Sequence, residues 1–434
     1  MESANLTAEQ AREAKRGRWY ALFLLTIVYT VNIADRFVVS TLIEPIKTEF
    51  ALSDAQVGWL TGAALAIFYV GAGIPLGVLA DRTNRKRMIA VALLLWSGVT
   101  IACGFTRTFW QLLIARIGVG VGEAGGTPPS QSFLSDKFPP AERAFAMSLY
   151  AVGAAAGAAL GSSLGGYVND SHGWRAVLIV FGAMGLPVAL AVALTLREPK
   201  RGALDDVTPP AGATLRETLA FTLRQRALLH ILAGATVATY WGWGLLWWTP
   251  AFLMRSHGMT LSVSGAHLGL MHIVGGVGVT LATAAAMAWL KNRDARYQAW
   301  FIAIATLVQT VPSIVAFAVS STNAALVSLW IFVPLAYLYI GPTLALAQNL
   351  VPATMRSQIV AILLFVANVA NLVLAPVVIG ALSDWLSPHL VDPSQSLRYV
   401  LVGTGFLGIW GAWHYWAAAR YLRADLELAG TGAQ

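Results

Sequence analysis

Four ionisable residues sit inside apolar runs: Asp35 and Arg36 in one, Arg116 and Glu123 in another. A charge at the centre of a membrane helix costs about 2.5–3.5 kcal/mol on an insertion scale, so such residues are kept where they face a cavity and pair with one another. Asp35 lies roughly 24 Å along its run at 1.5 Å per residue, and Arg116 lies roughly 9 Å into a run of opposite direction. The two therefore reach similar depth. Glu123 follows Arg116 by two helical turns and shares its face. Low dielectric disfavours an ionised carboxylate, and a neighbouring guanidinium favours it. A movement that makes and breaks such a pair would take up and release a proton. Asp35 and Glu123 are thus expected to couple protonation to gating, with Arg36 and Arg116 as charge partners or as anchors for an anionic headgroup. A static pair that only fixes helix packing is the alternative reading, and for Arg36 it weighs equally.

Positioning these groups requires membrane helices. Of the 434 residues, 57% are hydrophobic and 12% charged, against about 25% charged in soluble domains. Apolar runs near 19–43, 56–80, 88–107, 110–135, 144–168, 174–196, 227–254, 263–290, 297–319, 324–348, 356–383 and 397–421 read as twelve spans. Each approaches the ~20 residues a span needs, and helices satisfy their own backbone in lipid where open strands cannot. The chain is expected to be an all-α membrane protein of two pseudo-symmetric six-helix halves, 19–196 and 227–423. Around these lie an N-terminal segment 1–18, a polar linker 197–226 containing Asp205, Asp206, Pro209 and Pro210, and a tail 424–434.

Charge supports the count. Lys47, Arg107, Arg175, Arg255 and Arg398 fall on one face, Arg36 and Arg116 fall within spans, and the rest of the 29 Lys and Arg fall on the face of the termini. That asymmetry predicts cytoplasmic termini in an inner membrane. The net charge of +8 therefore reads as topology and not as a nucleic-acid surface. The polar start lacks the short apolar stretch and cleavage site of a signal peptide. A single cysteine, Cys103, excludes disulfides and thiolate metal sites.

Gly118, Gly120, Gly122, Gly125 and Gly126 crowd the fourth run, and Gly153, Gly157, Gly161 and Gly165 repeat every four residues in the fifth. Small residues so spaced allow close helix approach, as fixed packing or as a sliding surface. Between runs two and three stands Gly77-Val-Leu-Ala-Asp81-Arg82-Thr-Asn84-Arg85-Lys-Arg87. It is expected to latch the cytoplasmic side, with Gly77, Asp81, Arg82, Arg85 and Arg87 as gating residues. A weak repeat links Lys137–Arg143 with Leu350–Arg356 across the two halves.

These motifs resemble the major facilitator superfamily. Residues 77–87 match its loop signature, with Asn84 in place of the usual glycine, and Arg116–Ala124 matches its fourth-helix motif. The Gly122-Glu123-Ala124 ending, Asn32-Ile-Ala-Asp35-Arg36, Ser135–Pro139 and Arg143 are similar to the Spinster family. The resemblance implies a major facilitator fold, alternating access, proton coupling and a lipid-like cargo such as sphingosine phosphate or lysophospholipid, with Asp35, Arg36, Arg116 and Glu123 along the path.

The C-terminal half has no acidic residue deep in a span. Asp384 is expected near the cytoplasmic end, and Trp247 and Trp248 in an interfacial belt. Asn32, Tyr150, Tyr240, Trp243, His272 and Gln348 are expected to line a substrate cavity. His172, His257, His267, His389 and His414 occupy scattered loop or end positions without metal-ligand spacing. No phosphate-cradling loop, catalytic constellation or sensory extension stands out. The reading is a proton-coupled carrier of an amphiphilic or organic anion, in contact with membrane lipid, acting as a monomer without cofactor, metal or nucleic-acid partner, and not an enzyme. Alternatives are an exporter or importer of a small aromatic acid or drug, a lipid-acting membrane enzyme, and a transport-inactive receptor.

Overall fold

A computed structural model describes residues 8–64, 66, 71, 76, 79, 83–201, 213–290 and 293–431. Gly77, Asp81, Arg82, Asp205, Asp206, Pro209 and Pro210 lie outside the described residues. The fold is helical, with twelve spans in two six-helix halves. Ala8–Thr41 is the first span and Asp54–Gly58 opens the second. Arg85–Cys103 is the third, and Phe109–Ala124 followed by Thr127–Lys137 forms the fourth, broken at Gly125-Gly126. Pro140–Thr195 carries spans five and six. It turns at Gly173, whose φ of 79° is left-handed backbone suited to glycine.

In the second half, Arg226–His257 is span seven and Leu261–Ile273 with Thr280–Leu290 is span eight. Arg296–Ala318 is span nine, and Thr322–Leu335 with Ile340–Asn349 is span ten. Arg356–Asn368 with Ala375–Leu386 is span eleven, and Ser396–Gly405 with Leu407–Thr431 is span twelve. Seven stretches among the described residues are long and apolar enough to cross a membrane. One of them, Phe145–Thr195, carries two spans.

Packing explains the glycines. A methyl group on Gly157 would lie 2.5 Å from the Thr30 carbonyl oxygen, and one on Gly161 would lie 2.7 Å from that of Ala34. The stripe on span five therefore locks against span one within the same half, which favours fixed packing over sliding. The backbone approaches that join the two halves use other glycines. Methyls on Gly58, Gly62 and Gly380 would meet the carbonyls of Pro376, Leu372 and Asp54 at 2.2–2.4 Å, and one on Gly265 would meet Ser162 at 2.2 Å. Wide, π-type turns at Trp59–Ala63, Val274–Val279 and Val369–Leu374 fall in spans two, eight and eleven, along these contacts between halves. Such turns often mark functional positions.

Three placements correct the sequence reading. Asp384 accepts from the backbone N–H groups of Asp54 at 2.9 Å and Ala55 at 2.8 Å. It therefore caps the start of span two on the face away from the termini, because span eleven starts at Arg356 on the termini face and emerges opposite. Trp247 and Trp248 are buried and form no belt, since span seven packs between the halves. His414 is not at a loop or end position but within the last helix, with Nδ1 3.0 Å from Nδ1 of His230.

Gly157→Ala should lower the thermal midpoint in detergent, by an amount equivalent to about 1–3 kcal/mol of overpacking. Helix propensity alone would raise stability by up to about 1 kcal/mol. Gly98→Ala, where an added methyl meets nothing within 4 Å, should show no loss.

Candidate functional site

Spans one, three and four converge on the buried charges. Asp35 Oδ2 accepts from Arg116 Nη1 at 2.7 Å, and its Oδ1 accepts from Thr100 Oγ1 at 2.8 Å. One residue further along span one, Arg36 Nε donates to Glu123 Oε2 at 2.7 Å. The pairs are crossed, each span giving one acid and one base, so the cluster is neutral. Glu123 and Arg116 are fully buried, whereas the Arg36 side chain keeps 11% of its surface exposed. Removing one partner of a buried pair costs about 3–5 kcal/mol because the other charge is stranded. Thr100, which holds the second oxygen of Asp35, gives no sequence signal, since one threonine in an apolar run is unremarkable.

Close approach of spans three and four permits this geometry. Methyls on Gly122 and Gly125 would come within 2.8 Å of Trp96 and 2.9 Å of Ala92. The Asn32 amide, Glu123 Oε1 and Arg116 Nε and Nη2 are buried without hydrogen-bond partners among the described residues. Their unused capacity suits water or a polar ligand group.

The expected cavity residues divide. Phe37 of span one meets His272 at 4.9 Å, Trp247 at 4.9 Å and Trp243 at 6.3 Å between ring centres. His272 Nδ1 lies 3.0 Å from the Tyr337 hydroxyl, and Trp243 lies 5.4 Å from the Tyr337 ring. Trp247 Nε1 donates to Asn371 Oδ1 at 2.7 Å. Trp243 and His272 therefore lie in the aromatic group around Phe37, and Asn32 is buried one helical turn before Arg36 on span one. Tyr150 stacks on Tyr29 at 4.7 Å inside the N-terminal half. Tyr240 opens instead on a lateral cavity of about 280 Å³ with Leu382, Trp385, Val400 and Thr404. Gln348 sits half-buried at the termini-face end of span ten. Phe37 and Tyr337 were missed because isolated aromatics in apolar runs look like packing.

The two halves are latched on the face away from the termini. Arg255 at the end of span seven donates to both oxygens of Asp54, at 2.7 Å and 2.8 Å, and to Glu44 at 2.8 Å. Ser383 Oγ donates to Asp54 at 2.7 Å and Lys47 pairs with the same carboxylate. These donors outweigh burial and hold the Asp54 carboxyl down at about 2. On the termini face, Asn84 accepts from Arg87 N–H at 2.9 Å and caps span three, which explains an asparagine in this loop. The Arg87 side chain is exposed. Arg85 is buried and donates to Asp136 at 2.5 Å, Glu198 at 2.8 Å and Ser132 Oγ at 3.0 Å. These contacts tie the start of span three to span four and to the chain just after span six.

The Major Facilitator Superfamily model matches residues 25–373. The chain belongs to this superfamily. It is 32% identical to an MFS-type efflux pump of Mycolicibacterium smegmatis, over 96% of both chains. It is 26% identical to Protein spinster homolog 3 of Danio rerio, over 98% of this chain and 89% of the relative. It is 25% identical to a sphingosine-1-phosphate transporter of Xenopus tropicalis, over 99% and 87%. Among solved structures it resembles a bacterial homologue of the human lysosomal transporter Spinster in an inward-facing and unoccupied conformation. That match has 28% identity and a TM-score of 0.85 over 94% of this chain and 98% of that one. This major facilitator protein is a multi-pass, Spinster-like membrane transporter that works by alternating access.

A carboxyl held low in the folded state stabilises above its unfolded value, about 3.9, and loses that contribution only as pH falls through the folded value. For Asp54 that window runs from about 4 down to about 2, so acidification from pH 8 to 5 should leave the far-face latch closed. Arg255→Gln should instead widen the distance between spin labels placed at exposed Ser171 and Val391, at both pH values. An unchanged distance distribution in the variant would remove the latch from the account.

Proposed function

We propose that this transporter is a proton-coupled secondary carrier of an amphiphilic anion, lying in an inner membrane with both termini cytoplasmic and acting as a monomer. Residues 19–196 and 227–423 are its two moving halves. With that orientation the closed far face is the outer one, and the likeness to an inward-facing relative supports the reading. The observation that carries it is the crossed pair, with Arg36 held by Glu123 at 2.7 Å yet partly exposed.

A proton on Glu123 removes the charge that holds Arg36. The guanidinium can then exchange that contact for a charge-assisted one with a phosphate or carboxylate. Asp35 and Arg116 keep the adjacent charges neutralised meanwhile. The aromatic group of Phe37, Trp243, Trp247 and Tyr337 suits an apolar tail beside that headgroup. Asn32 and His272 offer polar contacts between the two. Arg85 and Arg87, with Gly77, Asp81 and Arg82 of the same loop, are assigned to cytoplasmic gating. Names among the relatives support a lipid-like anion. The name of the bacterial efflux pump favours a second reading, export of an aromatic acid or drug through the same site.

In proteoliposomes, Glu123→Gln should reduce uptake of a fluorescent lysophospholipid driven by a pH gradient to background, while counterflow exchange at equal pH persists. Parent-like gradient-driven uptake by this variant would overturn the coupling role. Transport of a fluorescent aromatic acid but not of lysophospholipid by the parent would select the second reading.

A further inference from the structure

The linker between the halves carries a helix, Leu215–Arg224, that the polar composition of 197–226 conceals. It begins with a capping box in which Thr214 accepts from Glu217 N–H and Glu217 accepts from Thr214 N–H. One face is docked: Thr218 and Thr222 are buried, Phe221 packs into the core of the C-terminal half, and Gln225 is buried at the end. Both ends are pinned to that half. The Gln358 amide donates to the Ala213 carbonyl, and Asp425 accepts from Ala227 N–H at 2.6 Å.

Beside the docked face runs a second apolar flank. Leu215, Leu219 and Leu223 recur every four residues and are exposed by 58%, 42% and 70%. At 100° per residue they cover an arc of about 80° next to the buried threonines. Arg216, Ala220 and Arg224 lie beyond them. Leu229 is the first exposed apolar side chain of span seven, six residues beyond Leu223. The helix also lies at the span ends that carry exposed aromatics. Tyr297 and Trp416 are each 46% exposed, with Trp300 5.8 Å from Trp416, and the Arg226 guanidinium lies over Tyr421 at 5.6 Å. Such rings mark the headgroup level.

We infer that Leu215–Arg224 is a bilayer-surface element that sinks its leucine flank at the headgroup boundary and binds anionic lipid headgroups through Arg216, Arg224 and Arg226. The occupant is a lipid surface, because the helix leads directly into a membrane-spanning helix, Arg226–His257, with only Gln225 between them. Arg226 lies beside Asp425, whereas Arg216 and Arg224 face one glutamate of their helix, Glu217, itself engaged in the cap, a balance that complements an anionic leaflet. An apolar arc wider than its protein contact, with basic residues on the polar side, is the pattern of interfacial helices. The C-terminal half would thereby be anchored to the leaflet while the other half moves.

The test places a single environment-sensitive fluorophore at Leu219→Cys, Leu223→Cys or Ala220→Cys in the full-length protein, whose one native cysteine, Cys103, is buried. Each is reconstituted into nanodiscs of phosphatidylcholine, or of phosphatidylcholine with one quarter phosphatidylglycerol. Labels at 219 and 223 should be blue-shifted and several-fold less quenched by aqueous iodide than the label at 220. The contrast should deepen with phosphatidylglycerol and lose that dependence in Arg216→Gln/Arg224→Gln. Equal quenching at all three positions would overturn the inference, and so would immersion independent of phosphatidylglycerol. Neither result bears on Glu123, so failure here is separable from failure of the coupling reading.

Discussion

Two acids and two bases must stay neutralised in a buried cluster that lipid cannot solvate, and the N-terminal half is built around that requirement. The crossed arrangement divides the charges so that span one and span four each hold an acid and a base. Neither span carries a net charge from these residues, and neither can be displaced without stranding two ions. The glycines follow from this constraint. Those of span four let it press against Trp96 and Ala92 of span three, and those of span five let it press against span one, so four helices are drawn tightly together around the cluster. Packing and electrostatics are one solution here.

Closure of the far face works by a different physical means. Backbone meets backbone where Gly58, Gly62, Gly380 and Gly265 abut carbonyls of the opposite half, and Arg255 spans the join to Asp54 and Glu44. Asp384 adds a carboxylate at the N-terminus of span two, where the helix dipole favours negative charge. Asp54 in this latch is saturated with donors from Arg255, Ser383 and Lys47. The buried charge cluster and the far-face latch are thus separate, and span one bears both Asp35 of the cluster and Phe37 of the aromatic group.

Much of this was legible in the residue order because charge in oil is rare. Asp35, Arg36, Arg116 and Glu123 announced themselves by type, and helical rise placed Asp35 and Arg116 at one depth. Span count came from the apolar runs, and the placement of Lys and Arg supported it. What was not legible were features whose residue types are ordinary. Thr100 and Phe37 differ from packing residues only by what they touch. Tyr240, Trp247 and Trp248 were misplaced because span seven is buried on most of its circumference, which hydropathy cannot report. The Leu215–Arg224 helix was masked by the charged residues around it, since composition averages over a period that a helix resolves.

The central claim is that Glu123 releases Arg36 when protonated. Experimental structures in nanodiscs at pH 8 and pH 5, without substrate, test it most directly. The account predicts the 2.7 Å contact between Arg36 Nε and Glu123 Oε2 at pH 8 and its loss at pH 5, with the Asp35–Arg116 contact kept in both. An Arg36–Glu123 contact unchanged at pH 5, alongside full proton-driven transport at that pH, would contradict it.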